Sequence, residues 1–283
     1  SGGGLKLFCA GVGVNHPDIT NASRAIKTSE IKNCADAGID EITEVKIGYD
    51  GIVMSNAKEA AQINLSREQV FLALAKTVPN PDNPSELIDN PYETWSEIDS
   101  GLPNKEIEVM GPPPTSGTRD AFVELVMEAG CEGFEAIEAL EGDRKDAVCG
   151  AIREDGAYVE AGENDTLIVN KLTANHDAFG IFGFSFLDAN RDKVQGASID
   201  GVSPQFEKIA SGEYPVSRPL FFYVKKAHVG EIPGMKEYLA EFTSDRAIGP
   251  DGYLLDVGLI PMDDAERAKV RDAAMNLTDN VNL

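Results

Sequence analysis

Apolar residues along this chain recur with two periods, one typical of helices and one typical of strands. The clearest helical pattern covers residues 119–129, where Phe122, Leu125 and Val126 share one side and Gly130 ends the segment. The same criteria predict helices at residues 5–12, 28–37, 66–76, 94–98, 147–153, 235–242 and 263–275. Short apolar or alternating runs predict strands at residues 44–47, 51–54, 106–110, 166–169, 178–186 and 220–224.

Strands and helices alternate along the whole chain, which is the pattern of an α/β fold with mainly parallel sheets. The length of 283 residues is more than one small core usually organises, so two lobes are expected. A turn is predicted at Asp50-Gly51, between two strands. The proline-rich residues 78–103 are predicted to form an ordered surface excursion that includes Trp95.

The charge balance is strongly acidic, since 48 acidic and 25 basic residues give a formal net charge of −23. Such a surface repels a phosphate backbone, so we expect no nucleic-acid partner. A small anion is not excluded, because surface charge is screened over about 8 Å at physiological salt while affinity is set by donors inside a site. No apolar run has the length of a membrane span. The opening Ser1-Gly2-Gly3-Gly4 is not a signal peptide, which we interpret as a mature, truncated or intracellular chain.

The sharpest candidate for chemistry is Ser116-Gly117-Thr118-Arg119, the SGTR loop, which lies between a predicted strand and a predicted helix. Ser116 or Thr118 can cap the helix, and Gly117 lets the backbone approach a ligand closely. Exposed N–H groups, the positive end of the helix dipole, hydroxyls and a guanidinium favour a tetrahedral anion. The alternative is a capped helix whose Arg119 pairs with a surface carboxylate.

Two N-terminal segments repeat this chemistry more weakly. Ser1 precedes three glycines that lead into a predicted helix, and Ser23-Arg24 places a hydroxyl beside a guanidinium. A Gly-rich linker and a solvated arginine are the respective alternatives. The histidines are scattered, and neither a C-x-x-C pair, a P-loop nor a nucleophile elbow occurs. We therefore expect no metal site and no cofactor.

The four cysteines leave two interpretations open. Cys9 is near Cys34 in sequence and Cys131 is near Cys149, so two short-range disulfides formed in an oxidising compartment are one interpretation. Four buried thiols in a cytosolic protein are the other, because free cysteine is commonly buried.

Residues 111–125, with the sequence GPPPTSGTRDAFVEL, resemble the periplasmic phosphate-binding proteins of bacterial ABC phosphate-uptake systems. Residues 1–13, 21–26, 47–53 and 215–225 support the resemblance, which covers essentially the whole chain. It implies a two-lobed periplasmic-binding-protein fold of type II, with each lobe a mainly parallel sheet flanked by helices. Lobe I would comprise residues 1–56 and 217–283, and lobe II would comprise residues 57–216.

The resemblance also implies a function, which is high-affinity binding of inorganic phosphate in an interlobe cleft by hinge closure, without catalysis. The protein would deliver phosphate to the membrane permease of an ABC transporter, and we expect it to be a periplasmic monomer. The implied phosphate ligands are Ser116, Gly117, Thr118 and Arg119 from lobe II, and Ser1, Ser23 and Arg24 from lobe I. Because each pair falls within one lobe, the implied disulfides are Cys9–Cys34 and Cys131–Cys149.

The chain departs from the family pattern at two places. Some members have an Asp where this chain has Arg24, and that Asp accepts the proton of hydrogen phosphate and helps to reject sulfate. Here Asp120 or a backbone carbonyl is expected to take over that role. Family members also begin with a strand, a turn and a helix before the Gly-rich tract, so we expect lobe I to lack that first strand and helix.

The alternative function is a phosphoryl-transfer or phosphatase enzyme that uses the SGTR loop as its phosphate cradle. Such an enzyme needs a metal site or an activated nucleophile. Neither motif is present in the sequence, so binding without catalysis is the preferred hypothesis.

Overall fold

The computed structural model describes residues 1–162 and 164–281, and the chain divides into two compact units. One comprises Ser1–Asp50 and Arg218–Leu283, and the other comprises Gly51–Ser217. We call them the terminal unit and the central unit. The sequence places the first boundary after residue 56, whereas the division lies inside one long strand, Ile42–Ala57. The reason is that this strand pairs with strands of the central unit from Ile52 onward.

The strands are β1 (Ile19–Ala22), β2 (Ile42–Ala57), β3 (Asn64–Leu65), β4 (Thr77–Asn80), β5 (Asn83–Asp89), β6 (Val109–Gly111), β7 (Tyr158–Glu160), β8 (Phe179–Gly183), β9 (Val194–Gly196), β10 (Ser198–Ile199) and β11 (Ser217–Lys225). The α-helices are α1 (Gly2–Phe8), α2 (Thr28–Asp36), α3 (Arg67–Leu74), α4 (Trp95–Ile98), α5 (Gly117–Phe122), α6 (Glu135–Glu138), α7 (Asp143–Gly150), α8 (Asp165–Ala174), α9 (Phe184–Ala189), α10 (Phe206–Ala210), α11 (Met235–Phe242), α12 (Asp245–Ile248) and α13 (Asp264–Asn276). A π-helical segment, Val123–Glu128, continues α5 directly.

In the terminal unit, β1 runs antiparallel to β11, and β2 lies beside β11. Leu5 and Phe8 of α1 are fully buried and pack with Tyr223 of β11 in one apolar core. A Cβ on Gly4 would lie 2.7 Å from Oγ1 of Thr20, so the glycine tract allows α1 to approach β1 closely. This packing fixes the N-terminus of α1 at the carboxyl end of β1.

The central unit contains a mixed set of strands rather than the mainly parallel sheet expected from the sequence. β6 is parallel to both β7 and β8, while β8 and β9 are antiparallel to β2. The difference arises because β2, which continues in from the terminal unit, runs opposite to β8. The parallel strands β6 and β7 are the ones that position the SGTR loop.

Two local predictions were wrong in the same way, because a short apolar run does not distinguish a strand from a buried helix face. Residues 166–169 lie in α8, where Ile168, Val169 and Leu172 form a buried side and Oδ1 of Asn164 caps the N–H of Leu167 at 3.2 Å. The strand predicted at residues 178–186 ends at Gly183 and continues as α9.

Asp50-Gly51 is not a turn, because β2 is continuous through both residues. The predicted excursion at residues 78–103 is ordered and contains the antiparallel pair of β4 and β5 followed by α4. The helix predicted at residues 235–242 has those bounds in α11.

Each unit contains one disulfide in the structure. Cys9 is bonded to Cys34 in the terminal unit, and Cys131 is bonded to Cys149 in the central unit. These are the pairs that the family resemblance implied. Within the described residues, the helices are all too short or too polar to cross a bilayer.

Candidate functional site

The SGTR loop begins the helix that follows β6 in the central unit. Pro112, Pro113 and Pro114 connect β6 to it, and the backbone N–H of Ser116 donates to the carbonyl of Pro113 at 3.0 Å. Because proline fixes φ and has no N–H, this connection has few alternative conformations. Ser116 is therefore held at a defined position, one residue before α5 begins at Gly117.

Ser116 is the N-cap residue of α5, one of the two capping residues that the sequence allows. Its Oγ accepts a hydrogen bond from the backbone N–H of Thr118 at 3.3 Å, and its carbonyl accepts from the N–H of Asp120 at 3.1 Å. A Cβ added to Gly117 would meet no atom within 4 Å. The chain thus leaves space beside the first residue of the helix, where N–H groups and the helix dipole favour an anion.

Tyr158 orients the guanidinium of Arg119. The guanidinium lies 4.5 Å from the centre of the Tyr158 ring, and its Nη1 donates to the carbonyl of Pro112 at 3.2 Å. The Tyr158 hydroxyl donates to the same carbonyl at 2.7 Å. A Cβ on Gly111 would lie only 2.2 Å from that hydroxyl, so glycine is needed there. The parallel register of β6 and β7 places Tyr158 opposite Val109, two residues before Gly111.

The groups that hold the Arg119 guanidinium in place do not neutralise its positive charge. In residues 1–162 and 164–281, the guanidinium contacts the Tyr158 side chain and the Pro112 carbonyl, and it forms no ion pair with a carboxylate. The alternative in which Arg119 pairs with a surface acid is therefore not what these residues form. Burial raises the pKa of the Tyr158 hydroxyl, although the Arg119 charge acts to lower it. The phenol consequently stays a protonated donor at neutral pH.

In the terminal unit, Ser1 and Ser23 form one cluster. Ser1 is the N-cap residue of α1, and its Oγ accepts from the backbone N–H of Ser23 at 2.9 Å. The two hydroxyl oxygens are 3.0 Å apart, and both side chains lie near the surface. Two hydroxyls beside a helix N-terminus can donate to an oxyanion.

Arg24, the third predicted ligand of the terminal unit, forms a two-pronged ion pair with Glu30. Nη1 and Nη2 donate to the two carboxylate oxygens of Glu30 at 2.9 and 2.8 Å. Glu30 also accepts from the backbone N–H of Lys27, the residue before α2, at 2.9 Å, so its carboxylate satisfies a donor at the start of that helix. The hydrogen bond from Arg24 is the main reason that the pKa of Glu30 lies below its usual value.

The structure therefore brings the four residues of the SGTR loop together in the central unit, and the three N-terminal candidates together in the terminal unit. Two further residues, Tyr158 and Glu30, were missed by the sequence analysis. Glu30 is the third residue of a predicted helix, a position from which a glutamate can accept from the backbone N–H of the residue before the helix. Tyr158 is 39 positions beyond Arg119 in the chain, and no local pattern connects the two.

No group of three or more metal-ligating side chains of the usual kinds occurs in the described ranges. Asp120, predicted as a possible proton acceptor, is exposed on the first turn of α5. The donors at both clusters are thus hydroxyls, guanidinium groups and backbone N–H groups. This chemistry suits an oxyanion.

Comparisons with known proteins show the family to which this chain belongs. The model of the PBP superfamily domain matches residues 1–246. The chain is 27% identical over 252 residues to the phosphate-binding protein PstS of Staphylococcus saprophyticus, covering 87% of this chain and 65% of that protein. It is 26% identical over 268 residues to protein SphX of Synechocystis, covering 93% of this chain and 68% of that protein. The chain thus spans about two thirds of the length of these relatives.

Solved structures show the same fold. A possible phosphate binding protein from Planctomyces limnophilus superposes with a TM-score of 0.75 at 25% identity, over 98% of this chain and 86% of that one. An ABC-type phosphate transport receptor from Vibrio cholerae superposes with a TM-score of 0.60 at 19% identity, over 92% and 84% of the two chains. With a family match over most of its length, this chain belongs to the PBP superfamily and has the two-lobed α/β fold of a periplasmic binding protein.

Proposed function

We propose that this protein binds inorganic phosphate with high affinity and delivers it to the membrane permease of an ABC transporter. One observation carries the proposal: the SGTR loop presents the N-terminus of α5 together with an oriented guanidinium that has no carboxylate partner among the described residues. The names of the Staphylococcus relative and the Planctomyces structure support phosphate as the ligand.

The chemistry of the loop matches a dehydrated phosphate. The Ser116 and Thr118 hydroxyls, the first N–H groups of α5 and the Arg119 guanidinium can all donate to phosphate oxygens. Charge-assisted bonds of this kind are roughly twice as strong as neutral ones. The net charge of −23 acts mainly on encounter at long range, where salt screens it. An acidic surface and an anion ligand are therefore compatible.

In this proposal the terminal and central units are the two lobes, and Ser1, Ser23 and Arg24 add donors from the terminal unit. A ligand that contacts both lobes favours the closed arrangement over the open one, which is the hinge mechanism we assign to this chain. Because Glu30 already shares the charge of Arg24, we assign the larger part of the attraction for phosphate to Arg119. Asp120 or a backbone carbonyl would accept the proton of hydrogen phosphate.

The protein would work as a periplasmic monomer without catalysis, and the transporter would supply the energy for uptake. No feature of the described residues favours the phosphatase alternative, and the PstS relative is named as a binding protein.

Isothermal titration calorimetry with phosphate, sulfate and arsenate tests the proposal. We expect saturable binding of one phosphate per chain, with no heat of turnover. A parallel assay with p-nitrophenyl phosphate should release no nitrophenol.

Arg144→Ala is the matched control for Arg119→Ala, because Arg144 is an exposed arginine of α7 in the same unit. The control should bind phosphate like the wild type, while Arg119→Ala should not. Absence of phosphate binding by the wild type, or hydrolysis of the ester, would overturn the proposal.

A further inference from the structure

Two basic side chains at the end of β11 hold the connection between α1 and β1, residues 9–18, in the terminal unit. Lys225 is the last residue of β11, and His228 ends the 3-10 helix that follows it. Lys225 is fully buried and His228 is 4% exposed. Nζ of Lys225 donates to the carbonyl of Gly11 at 2.7 Å. The backbone N–H of Gly13 donates to Nε2 of His228 at 3.0 Å. These contacts attach the connection to two neighbouring points of the unit.

The partners of the His228 ring define where its proton lies. Nδ1 is 2.6 Å from Oδ1 of Asp18, and an ionised carboxylate can only accept, so Nδ1 carries a proton. Nε2 accepts from the N–H of Gly13, so this nitrogen carries none. His228 is thus neutral whenever its contact with Gly13 is formed. The contact is compatible with one protonation state only.

A proton added to Nε2 from solvent removes this contact. The ring becomes an imidazolium in which both nitrogens are donors. The N–H of Gly13 then faces a second donor, so it has to turn away and bond to water. The bond from Nδ1 to Asp18 remains and becomes an ion pair. Because histidine ordinarily changes its charge between about pH 5 and 8, mild acid is enough for such a change.

The nearest charges act on this proton in opposite directions. Asp18 favours a positive charge on His228, because the two side chains are in direct contact. The buried ammonium of Lys225 opposes a second positive charge nearby. Burial lowers the pKa of Lys225, although the Asp18 charge acts to raise it. The carboxylate of Asp18 therefore acts on both basic groups that hold the connection.

Three further titratable side chains flank His228 or lie on the connection. Lys226 is balanced by an ion pair with Glu41. Glu231 is exposed, and its backbone N–H donates to the carbonyl of His228 at 3.2 Å. His16 lies on the connection itself and is partly buried. Since acid can charge either histidine, an experiment has to separate His16 from His228.

We propose that His228 is a pH-sensitive latch, which holds the connection when neutral and releases Gly13 when protonated at Nε2. Release is confined to the part of the connection beyond the Lys225 contact. This part includes Val12 and Val14, which are 44% and 81% exposed and therefore contribute little packing that would oppose release. The latch shares no residue with the candidate phosphate ligands, so it does not depend on the proposed function.

NMR spectroscopy of the ¹⁵N-labelled protein between about pH 8 and pH 5 tests the latch. The ring nitrogens of His228 should report the neutral form with the proton on Nδ1 at the upper pH and the imidazolium at the lower. The amide signal of Gly13 should shift with the same midpoint as these nitrogens. Its protection factor against hydrogen exchange should fall about fivefold, which is the loss of one hydrogen bond.

Three variants assign the transition of the Gly13 amide. His228→Gln should abolish it, because glutamine can accept from Gly13 but does not titrate. His16→Gln is the matched control and should leave it unchanged. Asp18→Asn keeps an acceptor for Nδ1 but removes the charge, so the transition should move to lower pH.

Asp18 is partly exposed, so Asp18→Asn tests the latch even if glutamine is not tolerated at the buried position of His228. The proposal is overturned if the Gly13 amide does not follow the titration of His228. It is also overturned if the transition survives in His228→Gln, disappears in His16→Gln, or stays at the same pH in Asp18→Asn.

Discussion

The two candidate clusters use the same side chain in different surroundings. Arg119 in the central unit is oriented by the Tyr158 ring and by a carbonyl. Arg24 in the terminal unit forms an ion pair with the two carboxylate oxygens of Glu30. An aromatic face and a carbonyl fix a guanidinium without removing its charge, whereas a carboxylate largely balances it. An arginine near a helix start is therefore not enough to predict an anion site, and its partner decides how much charge it offers.

This difference leads to an order of effects on phosphate affinity. Replacing Arg119 removes an uncompensated cation. Replacing Arg24 removes a balanced cation but leaves the Glu30 carboxylate behind without its main partner. Glu30 thus becomes a source of repulsion only when Arg24 is lost.

The largest effect is expected for Arg119→Ala. Loss of two charge-assisted hydrogen bonds should raise the Kd for phosphate by about 100-fold or more. Arg119→Lys should recover part of the affinity, because lysine keeps the charge but loses the planar fork. Calorimetric titration measures both variants, and an unchanged Kd for Arg119→Ala would show that the cation does not contact the ligand.

Arg24→Ala should have the next largest effect, with a Kd for phosphate raised about tenfold or more. The double variant Arg24→Ala with Glu30→Gln should bind phosphate more tightly than Arg24→Ala alone. The second change removes the carboxylate charge that repels phosphate once Arg24 no longer balances it. Arg246→Ala is the control, since Arg246 forms a similar pair with Glu241 at 2.7 Å but is 77% exposed. A double variant that is no tighter than the single one contradicts this account of Glu30.

Tyr158→Phe should have a smaller effect that separates the ring from the hydroxyl. It keeps the face that contacts Arg119 and loses the bond to the Pro112 carbonyl. We expect about 1 kcal/mol lower unfolding free energy and a Kd raised about threefold. Urea denaturation and titration measure the two quantities. If Tyr158→Phe were as damaging as Arg119→Ala, the hydroxyl rather than the ring would be the positioning group.

The smallest effect concerns pH. Arg24 lowers the pKa of Glu30 in the folded protein, so the unfolded chain binds that proton more tightly. The pair therefore stabilises the fold above the unfolded pKa of about 4.3, and this contribution is lost as the pH falls through the folded value. The Tm difference between wild type and Glu30→Gln should be largest near neutral pH and should shrink as the pH is lowered through the folded pKa of Glu30, below its usual value. A difference that stays constant over this range contradicts the pairing.

The sequence predicts the features that depend on neighbouring residues. Capping at Ser116 and the helix around Trp95 follow from local patterns, and the structure has both. Features that depend on distant pairing are not predictable in this way. Tyr158 reaches Arg119 through the register of β6 with β7, and the apolar run at residues 166–169 becomes a helix because its side chains pack on one side.

The central claim is that phosphate contacts the SGTR loop and the Arg119 guanidinium. A crystal structure of the protein grown with phosphate tests it most directly. We expect tetrahedral density at the N-terminus of α5, within hydrogen-bond distance of Arg119 and of the Ser116 or Thr118 hydroxyl. Phosphate bound elsewhere, with the Arg119 guanidinium still engaged only by Tyr158 and Pro112, would contradict the account.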